Sequence, residues 1–465
     1  MNIKDTSTSL LKEFAPQMGP WSWKGKTAVV ILSAILLWGL YALYIQVFKG
    51  HGVTGMRDNV VWGLYIANFV FFIGISYAGA IISGILHLLR VNWRKPILRI
   101  AELITVIATI IGPIYILLCV GRLDRLHHLF MYGRIQSPIT WDVLAISTYL
   151  VGSIIFLYLA LIRDFAILSE TNEIHIPNWR RKIYKLLSIN FRNTPEQVKR
   201  LKLTLDVLSA IIIPTAIIVH SVLSWIFGMT LRPGWHSTIF GPYFVLAAIF
   251  SGTGVMIIVM YVFRNIYNLK RYLTDQHFRY MGYMLIVLAA GYGYFTFSEY
   301  LTDWYTSEKW DAELIDKLFS FEHYGWWFYF ANFGGILVPL ILIGIPKFRS
   351  VKTIVFSSVV LVAALWIKRY LIVVPTLENT LLPMQDLRPE YISYSATWVE
   401  WALTAAGVAA FILFFILMSR FVPIVPVWET SEYLEEIKLK TSDEKVLSEK
   451  RAREVKQESI SVSTS

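Results

Sequence analysis

Long apolar runs recur along the chain, and ten of them are long enough to cross a membrane as helices. About 20 apolar residues in an α-helix span roughly 30 Å of hydrocarbon. The runs are continuously apolar, whereas the strands of a membrane barrel alternate apolar and polar residues. The pattern therefore predicts an all-α integral membrane protein of about ten transmembrane helices. The predicted spans cover residues 26–48, 60–89, 97–120, 141–162, 203–227, 241–267, 280–301, 326–346, 352–375 and 398–420.

Composition agrees with this prediction. The 465 residues are 56% hydrophobic and 16% charged, and the mean hydropathy is +0.54, unlike a typical soluble domain. We expect three regions: a cytoplasmic N-terminal segment (1–25), a ten-helix transmembrane domain (26–420) and a polar cytoplasmic tail (421–465). The first segment lacks the charged, apolar and small-residue order of a cleavable signal peptide, so we expect the first span to be retained.

The formal charge of +11 would suggest a nucleic-acid partner in a soluble protein. With ten spans, however, 32 of the 43 Lys and Arg residues fall on the side that holds both termini, and 11 fall on the other. Cytoplasmic loops of membrane proteins carry such an excess. The charge therefore predicts two cytoplasmic termini and no nucleic-acid partner. The most basic connection, residues 178–202, favours either an amphipathic helix on the anionic leaflet or a solvated loop.

Two outer connections, residues 302–325 and 376–397, are unusually long and aromatic. We expect them to be ordered caps that face a partner, because long loops without such a role are uncommon in compact domains. The alternative is a lipid-headgroup belt, since Trp and Tyr collect at membrane interfaces.

Ionisable residues within or beside the spans are concentrated at the outer face. Charged groups in a bilayer are costly and are usually paired or functional. Asp206, on the inner side, and His220, on the outer side, lie near one face of span five, about 21 Å apart along the helix. They are candidates for the two ends of a polar route, with Glu102 and His87 as inner-side companions. The outer cluster contains Arg122, His127, His128, Asp142, His220, His236 and Glu299.

This cluster suits proton transfer. A neutral histidine and a carboxylate can exchange the two protons that accompany a two-electron quinone reaction. Haem ligation is disfavoured, because the intramembrane histidines His87 and His220 lie at opposite depths. The single cysteine, Cys119, excludes a cysteine-ligated metal cluster within the chain. The same polar groups would also suit a secondary transporter or a proton-translocating subunit without quinone, and a purely structural anchor is a third alternative.

Several stretches carry a family resemblance. The chain resembles the NrfD/PsrC-type (polysulfide reductase-like) membrane subunits of quinone-linked oxidoreductases, particularly the ten-helix branch that includes alternative complex III and Hme-complex subunits. The matching stretches run from the second span to the end of the tenth: RDNVVWGLYIANFVFFIGISYAGAIISG (57–84), RIAELIT (99–105), GRLDRLHHLFMYGRIQSPITWDVLAISTYL (121–150), HSVLSWIF (220–227), PGWHSTIFGPYFVLAAIFSG (233–252), SEYLTDWY (298–305) and FVPIVPVWE (421–429).

The resemblance implies a quinone-binding subunit, using menaquinone or ubiquinone, without haem or an iron–sulfur cluster of its own. We expect two four-helix bundles with flanking helices in the cytoplasmic (inner) membrane of a prokaryote. A ferredoxin-like iron–sulfur subunit would dock at the outer face, with further molybdopterin-type or cytochrome subunits.

The resemblance also implies roles for residues. Asp142 and His220 become the proton-handling pair, and Glu102 and Asp206 the inner half of a proton pathway. The expected quinone-binding residues are Arg122, His127, His128, Trp141, Trp225, Trp235, His236 and Glu299.

The chain departs from this branch at two positions. The alternative complex III subunits place a histidine two residues before the Gly-Arg pair that follows span three, where this chain has Cys119, and the usual proline after that pair is Leu123. A thiol is a poor proton acceptor, with an ordinary pKa near 8.5. We therefore expect His127, His128 or His220 to supply the base, or a different quinone pose.

Overall fold

The computed structural model describes residues 3–79, 84–230, 232–379 and 392–437, which form helices joined by short connections. The first half of the chain contains α1 (Ile3–Met18), α2 (Trp23–Lys49), α3 (Leu64–Ile75), α4 (Leu98–Cys119), α5 (Pro138–Glu170), α6 (Asn178–Leu187) and α7 (Pro195–Gly228). The second half contains α8 (Phe240–Ile266), α9 (Asp275–Thr306), α10 (Lys309–Phe319), α11 (Gly325–Gly344), α12 (Val351–Leu377), α13 (Trp398–Phe421) and α14 over residues 427–437.

Nine helices in the described ranges are long and apolar enough to cross a membrane. They are α2, α4, α5, α7, α8, α9, α11, α12 and α13. The remaining predicted span, 60–89, is helical over Leu64–Gly79 and again at Leu86–Leu88, and residues 80–83 between them lie outside the described residues. The prediction of an all-α membrane protein with about ten transmembrane helices is confirmed.

Local sequence explains where two central helices begin. Helix α5 starts with Pro138 and α7 with Pro195, in the first turn where the missing N–H of proline costs nothing. Thr194 caps α7, because its side-chain oxygen accepts a hydrogen bond from the amide of Gln197. These starts fix which residues of each helix face the neighbouring helices.

The long helices pack as two four-helix groups with a flanking pair. Helices α3, α4, α5 and α7 form the first bundle, and α8, α9, α11 and α12 form the second. Helix α3 also contacts α8 and α12, which joins the bundles. Helices α2 and α13 flank them as a close pair, since a Cβ atom on Gly39 would lie 2.2 Å from that of Ala406. The predicted arrangement of two bundles with flanking helices agrees with this packing.

The segment after α13 is packed against the end of the bundles that is predicted to be cytoplasmic. Residues 422–431, which the hydropathy pattern assigns to the polar tail, are all buried. Their backbone is held by two residues of the first bundle: Arg99 donates to the carbonyl of Pro423 at 2.8 Å, and Asp164 accepts from the amides of Val427 and Trp428, each at 3.2 Å. This part of the predicted tail therefore belongs to the packed structure, while residues 438–465 lie outside the described residues.

The N-terminal segment is part of the same junction. Helix α1 buries Leu10, Leu11 and Phe14, and the side chain of Gln17 accepts a hydrogen bond from the amide of Ile424 at 3.1 Å. The two ends of the described chain thus meet beneath the bundles.

The two long outer connections were predicted to be ordered caps. In the first, α10 is ordered and packs on the second bundle through Asp311, Leu314 and Leu318, which are buried. In the second, residues 380–391 lie outside the described residues. That either cap faces a partner stays a prediction.

Candidate functional site

A cavity of about 820 Å³ opens at the outer end of the first bundle. Its walls come from α3, α4, α5 and α7 and from the connection that precedes α5. Apolar and aromatic side chains dominate, as in most sites for small organic molecules. These walls include Trp62, Ile66, Phe69, Ile116, Ile146, Leu223 and Phe227.

Asp142 is the buried acid of this cavity. It lies in the second turn of α5, which Pro138 starts, and its side chain is only 4% exposed. Its Oδ1 atom has no hydrogen-bond partner among the described residues. A buried polar atom without a partner is costly in a folded protein, so Asp142 is placed to accept a hydrogen bond or a proton from a molecule in the cavity.

Arg122 and His128, which were predicted to bind quinone, line the same cavity, and so does Cys119. Arg122 is exposed and makes a two-point contact with Asp124, at 2.7 and 2.9 Å. This contact lowers the pKa of Asp124 to about 2. His128 is exposed, and Cys119 is partly buried at the end of α4. Arg125 and Arg134 also line the cavity, so arginine side chains outnumber acidic ones in its lining.

Trp235 supports the back wall of the cavity. Its ring is buried and stacks on Trp62, with ring centroids 6.1 Å apart. Its indole N–H donates to the carbonyl of Ile372 on α12 at 2.7 Å. The wall residue Trp62 is thereby held by a side chain anchored to the second bundle, so Trp235 contributes to the site without lining it.

His236 follows Trp235 in the sequence, but its side chain points to α10, which lies in the first outer connection (302–325) and is called the outer cap below. It is exposed, and its Nε2 atom lies 3.7 Å from Oδ2 of Asp311 on α10. The amide of Gly234 donates to the same carboxylate at 3.0 Å, and φ at Gly234 is +73°, a conformation that favours glycine. The structure therefore gives His236 a part in docking the outer connection onto α10.

His220 lies deeper than the cavity. It is fully buried on α7, one turn before the lining residue Leu223, and packs edge-on against Tyr77 with ring centroids 4.2 Å apart. Neither ring nitrogen of His220, nor the hydroxyl of Tyr77, makes a hydrogen bond of normal geometry within the described part of the chain. These groups lie below the cavity. The predicted pair of His220 and Asp142 is therefore not found in one site, because Asp142 lines the cavity and His220 is absent from its described lining.

Three other predicted residues lie beside the cavity rather than in its described lining. His127 is exposed and packs edge-on against His128, with ring centroids 4.4 Å apart. Trp141 donates its indole N–H to the carbonyl of Ile135. Trp225 is partly exposed on α7. Their predicted contact with quinone stays a prediction.

Glu299 belongs to a separate charged cluster inside the second bundle. Its carboxylate lies 3.6 Å from the ammonium of Lys368, and both side chains are buried. Lys368 also donates to the hydroxyl of Tyr300. The neighbouring Arg369 is buried and lies over the ring of Phe244, 4.7 Å from its centroid. Glu299 is thus an ion-pair partner in the structure, away from the lining of the outer cavity.

Sequence reasoning did not select Lys368 and Arg369. The signal was present, because two adjacent cations in WIKRY interrupt the apolar run of span nine. Charges at such a position demand buried partners, and pairing them with Glu299 would have predicted this cluster.

The two inner candidates differ in their surroundings. Glu102 is buried on α4. Asp206, in contrast, is 57% exposed and pairs with His87. The two side chains are not in one described pocket, and their predicted role in proton transfer stays a prediction. Among the described residues, no three His, Cys, Asp or Glu side chains group as metal ligands.

The fold and this cavity define a class: a multi-helix integral membrane protein with a largely apolar cavity at one end of its first helix bundle. Residues 52–379 match the family described as polysulphide reductase, NrfD, and the chain belongs to that family. The resemblance inferred from the sequence is therefore confirmed.

Similar proteins are named as membrane subunits of reductase complexes. A putative membrane subunit of dimethyl sulfoxide reductase from Halobacterium salinarum is 25% identical over 74% of this chain and 76% of its own. An Hdr-like menaquinol oxidoreductase integral membrane subunit of Archaeoglobus fulgidus is 24% identical over 88% of this chain and 95% of its own. The integral membrane subunit of a menaquinone reductase of Nitratidesulfovibrio vulgaris is 24% identical, over 84% and 89%.

Proposed function

We propose that this chain is the quinone-interacting membrane subunit of a respiratory oxidoreductase, and that quinone or quinol binds in the outer cavity beside Asp142. The observation that carries this proposal concerns Asp142 on the wall of a mostly apolar cavity. Its Oδ1 atom is buried and has no hydrogen-bond partner among the described residues. Two of the similar proteins are named for menaquinol or menaquinone chemistry, which supports a quinone as the ligand.

The cavity has the size and surface that a quinone ring requires. Its volume of about 820 Å³ lies within the range of roughly 300–1,000 Å³ that is common for small-molecule sites. Trp62, Phe69 and Phe227 supply aromatic surface for the ring. The residues present therefore fit a quinone headgroup with part of its apolar tail.

A quinone, when bound, supplies two-electron chemistry that is coupled to two protons. In this proposal Asp142 holds or accepts one proton at its free Oδ1 atom, and the apolar walls exclude bulk water around it. Arg122 and His128 line the same cavity as Asp142 and are exposed. They provide groups through which a proton can leave toward the outer side.

The partner in this proposal is an iron–sulfur subunit at the outer face, with further molybdopterin-type or cytochrome subunits. The connection over the cavity supports such docking, because it exposes large apolar side chains at Phe130, Met131 and Ile135.

Placement in the cytoplasmic membrane of a prokaryote is part of the same proposal. Proton translocation through Glu102 and Asp206 is proposed as an extension, with Glu102 the better placed of the two by its burial.

The test uses the purified complex and the Asp142→Asn substitution, which keeps the shape of the side chain but removes its ability to accept a proton as a carboxylate. Removal of a positioned acid or base commonly costs about 10²–10⁴-fold in rate, so quinol-linked turnover should fall by at least about a hundredfold. The matched control is Asp58→Asn, which changes an exposed carboxylate of the connection before α3 that does not line the cavity and should leave turnover unchanged. Equal turnover of wild type and the Asp142 variant would refute the site.

A further inference from the structure

A second cavity lies at the cytoplasmic side, remote from the residues proposed to bind quinone. Its volume is about 430 Å³, again within the common range of roughly 300–1,000 Å³ for ligand sites. It lies where the turn before α4, the start of α9 and α14 meet. The lining consists of Arg90, Asn92, Trp93, Thr274, Gln276, His277, Tyr280, Tyr433, Glu436 and Ile437.

His277 provides a hydrogen-bond donor to this cavity. Its Nδ1 atom accepts from the backbone amide of Thr274 at 3.2 Å. Because a backbone amide can only donate, Nδ1 is unprotonated, and the neutral ring carries its proton on Nε2. His277 is only 3% exposed, and Nε2 makes no hydrogen bond of normal geometry in the described ranges, although the carbonyl of Trp93 is close. The Nε2–H group thus faces the carbonyl of Trp93 at the cavity wall and can be shared with an acceptor on a ligand.

Glu436 provides an acceptor in the same cavity. Its Oε1 atom is paired with the ammonium of Lys95 at 2.6 Å. The other carboxylate oxygen, Oε2, is buried and has no hydrogen-bond partner in the part of the chain that is described. A buried carboxylate oxygen without a donor costs free energy, and a ligand that brings N–H donors would satisfy it.

Aromatic rings enclose the space between these two groups. Trp93 lies 5.2 Å from Tyr280 and 6.1 Å from His277, measured between ring centroids, and Tyr433 is on the opposite element, α14. Faces of Trp and Tyr attract organic cations, more strongly when water is excluded. Aromatic rings beside a free carboxylate oxygen favour an ammonium group.

The rim of the cavity joins the surface that faces lipid. Arg90 is exposed at this rim, and the preceding Leu88 and Leu89 are exposed apolar side chains at the end of the second span. A guanidinium beside an apolar surface at the cytoplasmic boundary is suited to a phosphate that carries acyl chains.

We propose that this cavity binds the headgroup of a zwitterionic phospholipid with a primary ammonium, of the phosphatidylethanolamine type. The ammonium lies among Trp93, Tyr280 and Tyr433 and donates to Oε2 of Glu436. The phosphate contacts Arg90 and accepts from Nε2–H of His277. The acyl chains run along Leu88 and Leu89. Bound lipid links the start of α4, the start of α9 and α14, and so holds the C-terminal segment in place. The proposal does not depend on the quinone site.

The test is native mass spectrometry of the purified complex after exchange into nanodiscs that contain equal amounts of phosphatidylethanolamine, phosphatidylcholine and phosphatidylglycerol. We expect the wild-type complex to retain phosphatidylethanolamine preferentially, because phosphatidylcholine lacks N–H donors for Glu436 and phosphatidylglycerol lacks a cation. Loss of one charge-assisted hydrogen bond corresponds to about tenfold weaker binding, so Glu436→Gln should lower retention by about that factor.

The control variant is Glu170→Gln, an exposed carboxylate at the cytoplasmic end of α5, which should retain lipid as the wild type does. Added inorganic phosphate should not displace the lipid if the headgroup and the chains both bind. Displacement by phosphate would identify an anion site and overturn the proposal. Equal retention of the three lipids by the wild type would also overturn it, and that result does not depend on the folding of any variant.

Discussion

The buried ion pair between Arg99 and Asp164 should control whether the C-terminal segment stays docked. The two side chains are 1% and 0% exposed, with a contact of 2.5 Å between Nη2 and Oδ2. Asp164 also accepts the amides of Val427 and Trp428. The substitution Asp164→Ala would therefore leave one buried guanidinium without its counter-charge and two buried amides without an acceptor.

The magnitude follows from these losses. Breaking a buried ion pair by removing one partner costs about 3–5 kcal/mol, and each orphaned amide costs about 1–3 kcal/mol. The effects share one site and are not additive. We therefore expect the free energy required to open this segment to fall by about 4 kcal/mol, the cost of breaking the ion pair alone. At 1.4 kcal/mol for each factor of ten, the protection of amides in residues 422–431 against hydrogen exchange should fall by roughly three orders of magnitude.

The assay is hydrogen exchange with mass spectrometry on the purified protein in detergent. The double variant Arg99→Met with Asp164→Leu removes both charges, so no buried charge is left without its partner. Its protection should recover part of the loss, because the amides of Val427 and Trp428 and the carbonyl of Pro423 stay unsatisfied. The control Asp316→Ala replaces an exposed acid on α10. Wild-type protection in the Asp164→Ala variant, or a double variant that exchanges as fast as the single one, would refute the reasoning.

Other parts of the structure support three further predictions. Burial raises the pKa of Glu429 to about 7, above the ordinary value near 4.3. The contribution of the protonated carboxyl to stability is therefore complete below about pH 4.3 and is lost as the pH rises through 7. Glu429→Gln should abolish this part of the pH dependence of thermal unfolding. Cys119 is the single cysteine and lines the outer cavity. A short-chain quinone bound in this cavity should slow the reaction of Cys119 with N-ethylmaleimide. An unchanged rate would argue against quinone binding in the cavity. Glu299→Gln leaves the buried Lys368 without its counter-charge. This variant should lower the free energy of unfolding by about 3 kcal/mol, while the folded complex keeps its turnover. Adding Lys368→Met to the same chain should restore stability.

The transmembrane architecture was predictable because hydrophobic length is a strong constraint. Each long helix must match the thickness of the bilayer, and the excess of Lys and Arg on one side fixes the expected orientation. The packing of residues 422–431 was not predictable in this way. The stretch VPIVPVW is too short to span a membrane and contains two prolines. Its backbone is held by two residues that are distant in sequence, Arg99 as a donor and Asp164 as an acceptor.

The candidate site was predicted in part. Asp142 was selected from its position at the start of a span, and the structure places it in the cavity wall with Arg122 and His128. Sequence position gives the depth of a residue but not its direction around the bundle. His220 and Glu299 were therefore grouped with Asp142 by depth, although one lies below the cavity and the other lies in the second bundle.

Trp235 makes the two halves of the molecule mechanically dependent on each other. Its ring stacks on Trp62 of the cavity wall, while its N–H is tied to Ile372 in the second bundle. The next residue, His236, contacts Asp311 on the outer cap. A displacement of the cap or of α12 is thus transmitted through one indole ring to the shape of the cavity. A protein that binds at the outer cap would be able to alter the affinity of the cavity for the proposed quinone without entering the cavity.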